Sequence, residues 1–163
     1  MRMLESLGAR TREVRVAADL VDLAGLVIPG GESTTMTIGI EREGLAEPLR
    51  ELVRAGTPTL GTCAGLIMLD RDHLGVLDVS CRRNAFGRQV RSFEADLNLG
   101  QEMGEMHAVF IRAPWVEEAG AGVEVLAEVD GHPVAVRSEN TIAVAFHPEL
   151  SEDARLHRWL LRR

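Results

Sequence analysis

The run Gly25-Leu26-Val27-Ile28-Pro29 constrains this chain more than any other five residues. An apolar run without alternation suits a strand buried on both faces, and such strands belong to parallel sheets covered by helices. The run stops at Pro29, which has no N–H to give to a ladder. Its surroundings repeat the theme. Met1 to Leu7 reads as the tail of a helix ended by Gly8, and Glu13 to Ala17 as a short strand. Glu43 to Ala55 is helical with Gly56 as a natural C-cap. Thr57 to Leu60 reads as a strand, and Ala64 to Asp70 begins another helix. Strand–helix alternation of this kind implies a parallel sheet with helices on both faces.

The second half changes character. Val76 to Cys81, Gln89 to Leu97 and Met106 to Ile111 read as strands with no helix between them. Val123 to Val129 and Pro133 to Arg137 flank Asp130-Gly131, a tight-hairpin signal. Thr141 to Phe146 is a further strand, and Asp153 to Leu161 is an amphipathic closing helix with Ser151 as candidate N-cap. The expected fold is α/β: a mixed, mainly parallel sheet flanked by helices, with an antiparallel patch late in the chain. With 163 residues and no repeat or low-complexity linker, residues 1–163 read as a single domain.

Composition narrows the function classes. A net charge of -7 argues against a nucleic-acid binder, which would show a basic stripe. No apolar run is long enough to span a membrane and none has the form of a signal peptide, so the expected location is the cytoplasm. There the two thiols, Cys63 and Cys81, stay reduced. Neither cysteine belongs to a C-x-x-C pair and no histidine cluster has zinc-ligand spacing, so no metal is expected.

Three strings carry chemistry. Gly61-Thr62-Cys63-Ala64-Gly65 lies between a short strand and a helix, as a nucleophile elbow requires. The helix that follows points its N-terminal N–H groups at the sulfur. The same string also fits a small core cysteine in a Gly-rich turn. Phe146-His147-Pro148-Glu149 ends a strand, and residues i and i+2 of an extended segment share a side, so Glu149 can reach the imidazole of His147. That is the base–orienter half of a nucleophilic triad, although a lone histidine is more often structural. Pro29-Gly30-Gly31-Glu32-Ser33-Thr34 follows the apolar strand. Consecutive glycines let backbone N–H groups converge on an oxyanion, here Gly31 with Ala64 as second donor. An ordinary strand-to-helix turn with Ser33 as N-cap is the plainer reading.

In this order the three strings resemble the class I glutamine amidotransferases, with their Cys–His–Glu triad. Five strings are closer still to one family of them: LVIPGGESTTM (26–36), GTCAGLI (61–67), RNAFGRQVRSFEADL (83–97), FIRAP (110–114) and FHPELSE (146–152). They resemble the glutaminase subunits of pyridoxal phosphate synthase. The resemblance implies Cys63 as nucleophile, His147 as general base and acid, and Glu149 as its orienter. It implies that Gly30, Gly31, Glu32, Arg83, Ile111 and Arg112 contact L-glutamine. A zwitterion needs a carboxylate for its ammonium, which Glu32 supplies, and a cation for its carboxylate, which Arg83 or Arg112 supplies. Arg88 and Arg91 fit structural or interface positions. The implied activity is hydrolysis of glutamine to glutamate and ammonia, with the ammonia passed to a synthase subunit as partner and with no cofactor on this chain.

The same resemblance marks two departures. Family members begin with a strand of the type I-G-V-L-A-L-Q-G, whereas this chain starts inside the helix that follows it. That strand lies within the parallel sheet and its Leu-Gln-Gly turn near the oxyanion site, so the expectation is impaired folding, activation and docking. The loop between Leu69 and His73 is also shorter than in the family. Two other readings use the same strings: an inactive chain that only binds the synthase, or another class I amidotransferase or cysteine hydrolase on this fold.

Overall fold

The computed structural model describes residues 1–86 and 92–161. The apolar run forms β1 (Leu26–Ile28), with both end residues buried. It pairs in parallel with β2 (Thr59–Thr62), which pairs in parallel with β9 (Thr141–Val144). Antiparallel strands β8 (His132–Ser138) and β7 (Glu124–Val129) complete the sheet, in the order β1-β2-β9-β8-β7. Every residue of β2 and β9 is buried, as a strand covered on both faces requires. The expected α/β fold with a mixed sheet is therefore present. The hairpin expected at Asp130-Gly131 is present too, with both residues at positive φ (52° and 77°) as a type I′ turn demands.

Helices cover the sheet. Helix α4 (Ala64–Leu69), which follows Cys63, is buried at all its positions. It lies so close to β1 that a Cβ on Gly65 would stand 1.9 Å from the carbonyl oxygen of Ile28. Only glycine permits that approach. The helix expected over 43–55 is preceded by a separate one. These are α2 (Ser33–Arg42) and α3 (Ala46–Arg54), parted by Gly44 at φ +63°. The N-terminal helix is α1 (Arg2–Ser6) and the closing one α5 (Arg155–Leu160). Ser151 does not cap α5, because its hydroxyl donates to the Pro148 carbonyl while Asp153 accepts the Arg155 N–H.

Two antiparallel ribbons flank this frame: β3 (Val79–Arg82) with β6 (Trp115–Ala119), and β4 (Ser92–Asn98) with β5 (Glu105–Ile111). β6 was not expected, since only its first two positions are turned inward. Phe110 of β5 stacks on Phe93 at 4.4 Å and meets Phe146 edge-on at 5.6 Å, which fastens the second ribbon to the exit of β9. The expected strand over 89–97 is seen from Ser92; its start, with Arg88 and Arg91, lies outside the described residues.

The expected strand over 13–17 does not form. Val14 and Val16 face β1 across a groove of about 460 Å³, lined also by Leu26, Ile28, Met36 and Ile40. Among the described residues no ladder joins its two walls. The chain turns away in a 3-10 helix at Ala17–Leu20. No helix among the described residues is long and apolar enough to cross a membrane.

Candidate active site

Cys63 follows β2 directly and precedes α4. Its φ of 50° and ψ of -107° lie where an L-residue other than glycine is strained. Its N–H donates to the Val144 carbonyl at 2.8 Å, so the β2–β9 ladder reaches up to the turn. A Cβ on Gly61 would lie 2.9 Å from the backbone of Gly65, so the two glycines of the string are what let the chain fold back this sharply. This is the strand–elbow–helix arrangement that suits a nucleophile, with Cys63 itself buried at the turn.

His147 leaves β9 beside it. Its N–H donates to the Val109 carbonyl at 2.9 Å, and its Nδ1 is hydrogen-bonded to Glu149 Oε1 at 2.7 Å. The neighbouring Cys63 side chain first and the hydrogen-bonded Glu149 second raise the His147 pKa to about 10 against the opposing effect of burial. Burial pushes the Glu149 carboxyl up, but its bonds with His147 and the local backbone outweigh this and hold it below its ordinary range. The two shifts agree: both favour a charged imidazolium–carboxylate pair. An imidazolium beside the sulfur is the arrangement in which a thiolate attacks and the ring delivers a proton to the leaving group. The Cys63 Sγ stands 3.9 Å from the carbonyl oxygen of Ile111.

Of the remaining expected residues, Gly30 and Ile111 adjoin this centre. A Cβ on Gly30 would lie 2.6 Å from His147 Cε1 and 3.4 Å from Cys63 Cβ, so Gly30 forms the floor of the dyad. Gly31 packs on Met36, and Ala64, nearly fully buried, begins α4. Glu32, not Ser33, is the N-cap of α2: its carboxylate accepts the N–H groups of Thr34 at 3.1 Å and Thr35 at 2.8 Å. These bonds and the Thr35 hydroxyl hold its pKa down at about 2. Arg83 reaches across from the end of β3 to Glu32 Oε1 at 3.1 Å and to the Thr34 hydroxyl. Arg112 follows β5 with φ 45° and is exposed. Sequence reasoning missed Val109, whose carbonyl fixes His147, and Thr34 and Thr35, which hold Glu32. A backbone acceptor leaves no signal in side-chain chemistry. Among the described residues no group of His, Cys, Asp and Glu is disposed to hold a metal.

A model of the SNO glutamine amidotransferase family matches residues 1–163. The chain belongs to that family. It is 50% identical over 99% of its length to pyridoxal 5'-phosphate synthase subunit PdxT of Dehalococcoides mccartyi, covering 89% of that protein. It is 54% identical over 96% of its length to the subunit of the same name from Frankia alni, covering 84% of it. A crystal structure of a glutamine amidotransferase superposes with a TM-score of 0.91 at 45% identity, covering 98% of this chain and 89% of that one.

Proposed function

We propose that this chain is the glutaminase subunit of a pyridoxal phosphate synthase in the cytoplasm, hydrolysing L-glutamine to L-glutamate and ammonia for a synthase subunit. The observation that carries the reading is the strained Cys63 elbow beside the 2.7 Å His147–Glu149 pair, both at the carboxyl ends of parallel strands. Relatives half identical over nearly the whole chain bear the synthase-subunit name.

In this reading the Cys63 sulfur attacks the side-chain amide carbon of glutamine. The carbonyl oxygen becomes an oxyanion facing the N–H groups of Gly31 and Ala64. His147 gives its proton to the amide nitrogen, ammonia leaves, and a glutamyl thioester remains. Water attacks the thioester while His147 takes its proton, glutamate departs, and the thiolate–imidazolium pair is restored. Glu149 holds the ring and offsets its charge throughout. Gly30, Gly31, Glu32, Arg83, Ile111 and Arg112 bind the substrate. No step calls for a metal or organic cofactor. The test is ammonia and glutamate release by the wild-type chain and by Cys63→Ala, each with and without the synthase subunit. Release that depends on Cys63 is expected; equal release by both proteins removes the reading.

A further inference from the structure

The carbonyl groups of a strand paired on one side alternate between its two edges. On the β4 side of β5, the Gly104 carbonyl accepts the Leu99 N–H at the mouth of the ribbon. The odd-numbered carbonyls face the opposite edge, and the catalytic segment is fastened there. Val109 O accepts the His147 N–H at 2.9 Å, and Ile111 O lies 3.9 Å from Cys63 Sγ. Farther along, Glu105 O and Met103 O each accept from the Arg155 guanidinium at 2.5 Å. Arg155 is itself held by Asp153, at 3.0 Å through Nε and 2.5 Å through Nη2. The segment from His147 to Arg155 is thus tied to one strand edge at both ends, with Glu149 between the ties.

We propose that Arg155 is a positioning residue for the triad: by clamping the far end of the 147–155 segment to β5 it sets where Glu149 sits and so how the His147 ring addresses Cys63. Among the described residues Arg155 makes no hydrogen bond or ion pair with Cys63 or His147, and it acts through the backbone. A guanidinium fork suits the task because it presents parallel donors to two carbonyls at once, which an ammonium does not. The leverage is considerable, since a displacement of about 1 Å at a catalytic group can cost ~100-fold in rate.

The proposal rests on the glutaminase reading for its turnover measurement but not for its reactivity measurement. For wild type, Arg155→Met and Arg155→Lys, kcat and KM for glutamine are measured with the synthase subunit below each protein's melting temperature. The pH profile of Cys63 alkylation by iodoacetamide is followed on the isolated chain by peptide mapping. We expect Arg155→Met to lose at least ~10-fold in kcat with KM within about 2-fold, Arg155→Lys to fall between, and both alkylation profiles to shift. A merely structural arginine would lower the melting temperature and leave the profile alone. So an Arg155→Met protein that melts cooperatively with a wild-type profile overturns the proposal, whatever its turnover. Should Arg155→Met not melt cooperatively, Arg155→Lys decides by the same profile: shifted upholds, unshifted overturns. A wild-type chain that releases no ammonia would end the glutaminase reading, while the alkylation profile would still judge Arg155.

Discussion

Arg83 Nη2 stands 3.1 Å from Glu32 Oε1, so the cation and the carboxylate expected to grip the two ends of glutamine grip each other. Glutamine carries the same two charges and can exchange with both. Binding then costs little net charge separation, because each protein ion trades one partner for another. Arg83→Gln should raise KM for glutamine ~10–100-fold with kcat nearly unchanged, the size of one charged hydrogen bond lost equally from ground and transition states. Glu32→Gln should also raise KM. With the Glu32 pKa held at about 2, that difference should not vary with pH across any ordinary assay range. A kcat effect larger than the KM effect for Arg83→Gln would show that Arg83 serves the chemistry rather than binding.

The two thiols should behave very differently. Cys81 is pushed far up, first by burial and then by the neighbouring Asp70 carboxylate, so it stays a neutral thiol. A glutamine-analogue alkylator should label Cys63 alone, and Cys63→Ala should abolish hydrolysis while Cys81→Ala leaves it intact. Mass mapping of the labelled protein checks this, and label on Cys81 would contradict it.

Glu149→Gln keeps size and removes the charge that supports the imidazolium. Losing the orienting carboxylate costs up to ~10⁴ in serine triads, and a loss of at least ~10-fold is expected here. The pH dependence gives a second readout. His147 is raised to about 10, chiefly by Cys63 and then by Glu149, so activity should hold through neutral pH and fall as pH approaches 10. Glu149→Gln should bring that alkaline limb to lower pH. A turnover and profile identical to wild type would make Glu149 structural.

Much of this site is legible in the sequence because its demands are local. The elbow at Cys63 needs glycines at 61 and 65, and the His147–Glu149 contact needs only the i, i+2 geometry of an extended segment. The buried strand at 26–28 announces itself by apolar run length. What was not legible depends on partners far along the chain. Val14 and Val16 have strand-like residue types but face a groove instead of a ladder. Ser33 looks like an N-cap, yet Glu32 takes the role because its longer side chain also meets Arg83, 51 residues away. The tie from Arg155 to Met103 and Glu105 is backbone-directed, and no residue pattern encodes it.

Two glycine substitutions should separate catalysis from folding. A methyl at Gly30 would sit 2.6 Å from the His147 ring, the far end of a side chain that can swing aside. Gly30→Ala should therefore keep most of the stability and lose at least ~10-fold in kcat, since the displaced group is the ring proposed as the base. A methyl at Gly65 would sit 1.9 Å from the Ile28 carbonyl oxygen, which is backbone within the sheet and cannot yield. Gly65→Ala should cost several kcal/mol, more than ~4, and yield little folded protein. Thermal unfolding beside turnover tests the pair; an active, stable Gly65→Ala would mean that α4 can slide off β1.

Acid should weaken the fold through His157. Its side chain is 7% exposed on α5, and its Nδ1 has no hydrogen-bond partner among the described residues. Burial lowers its pKa, the Glu149 charge opposes this, and the N-terminal ammonium adds to the lowering. For a histidine whose folded pKa is depressed, the unfolded chain takes up the proton first. Its contribution is therefore intact above the ordinary value near 6.5 and is lost as pH falls through the folded pKa. The other displaced groups titrate elsewhere. His147, raised to about 10, and His107, raised first by its hydrogen bond to Asp96, contribute fully below 6.5 and lose their shares as pH rises above it. Glu32, Glu149 and Asp153 are depressed carboxyls, whose share is lost only below the ordinary carboxylate range. Between about pH 6.5 and 5 the slope should thus belong to His157 and cannot exceed ~1.4 kcal/mol per pH unit, the limit for one proton. His157→Leu should melt within a few degrees of wild type at pH 7.5, because an apolar side chain suits the buried site, and should show a flatter stability curve down to pH 5. An equally steep acid slope in His157→Leu would place the titrating group elsewhere.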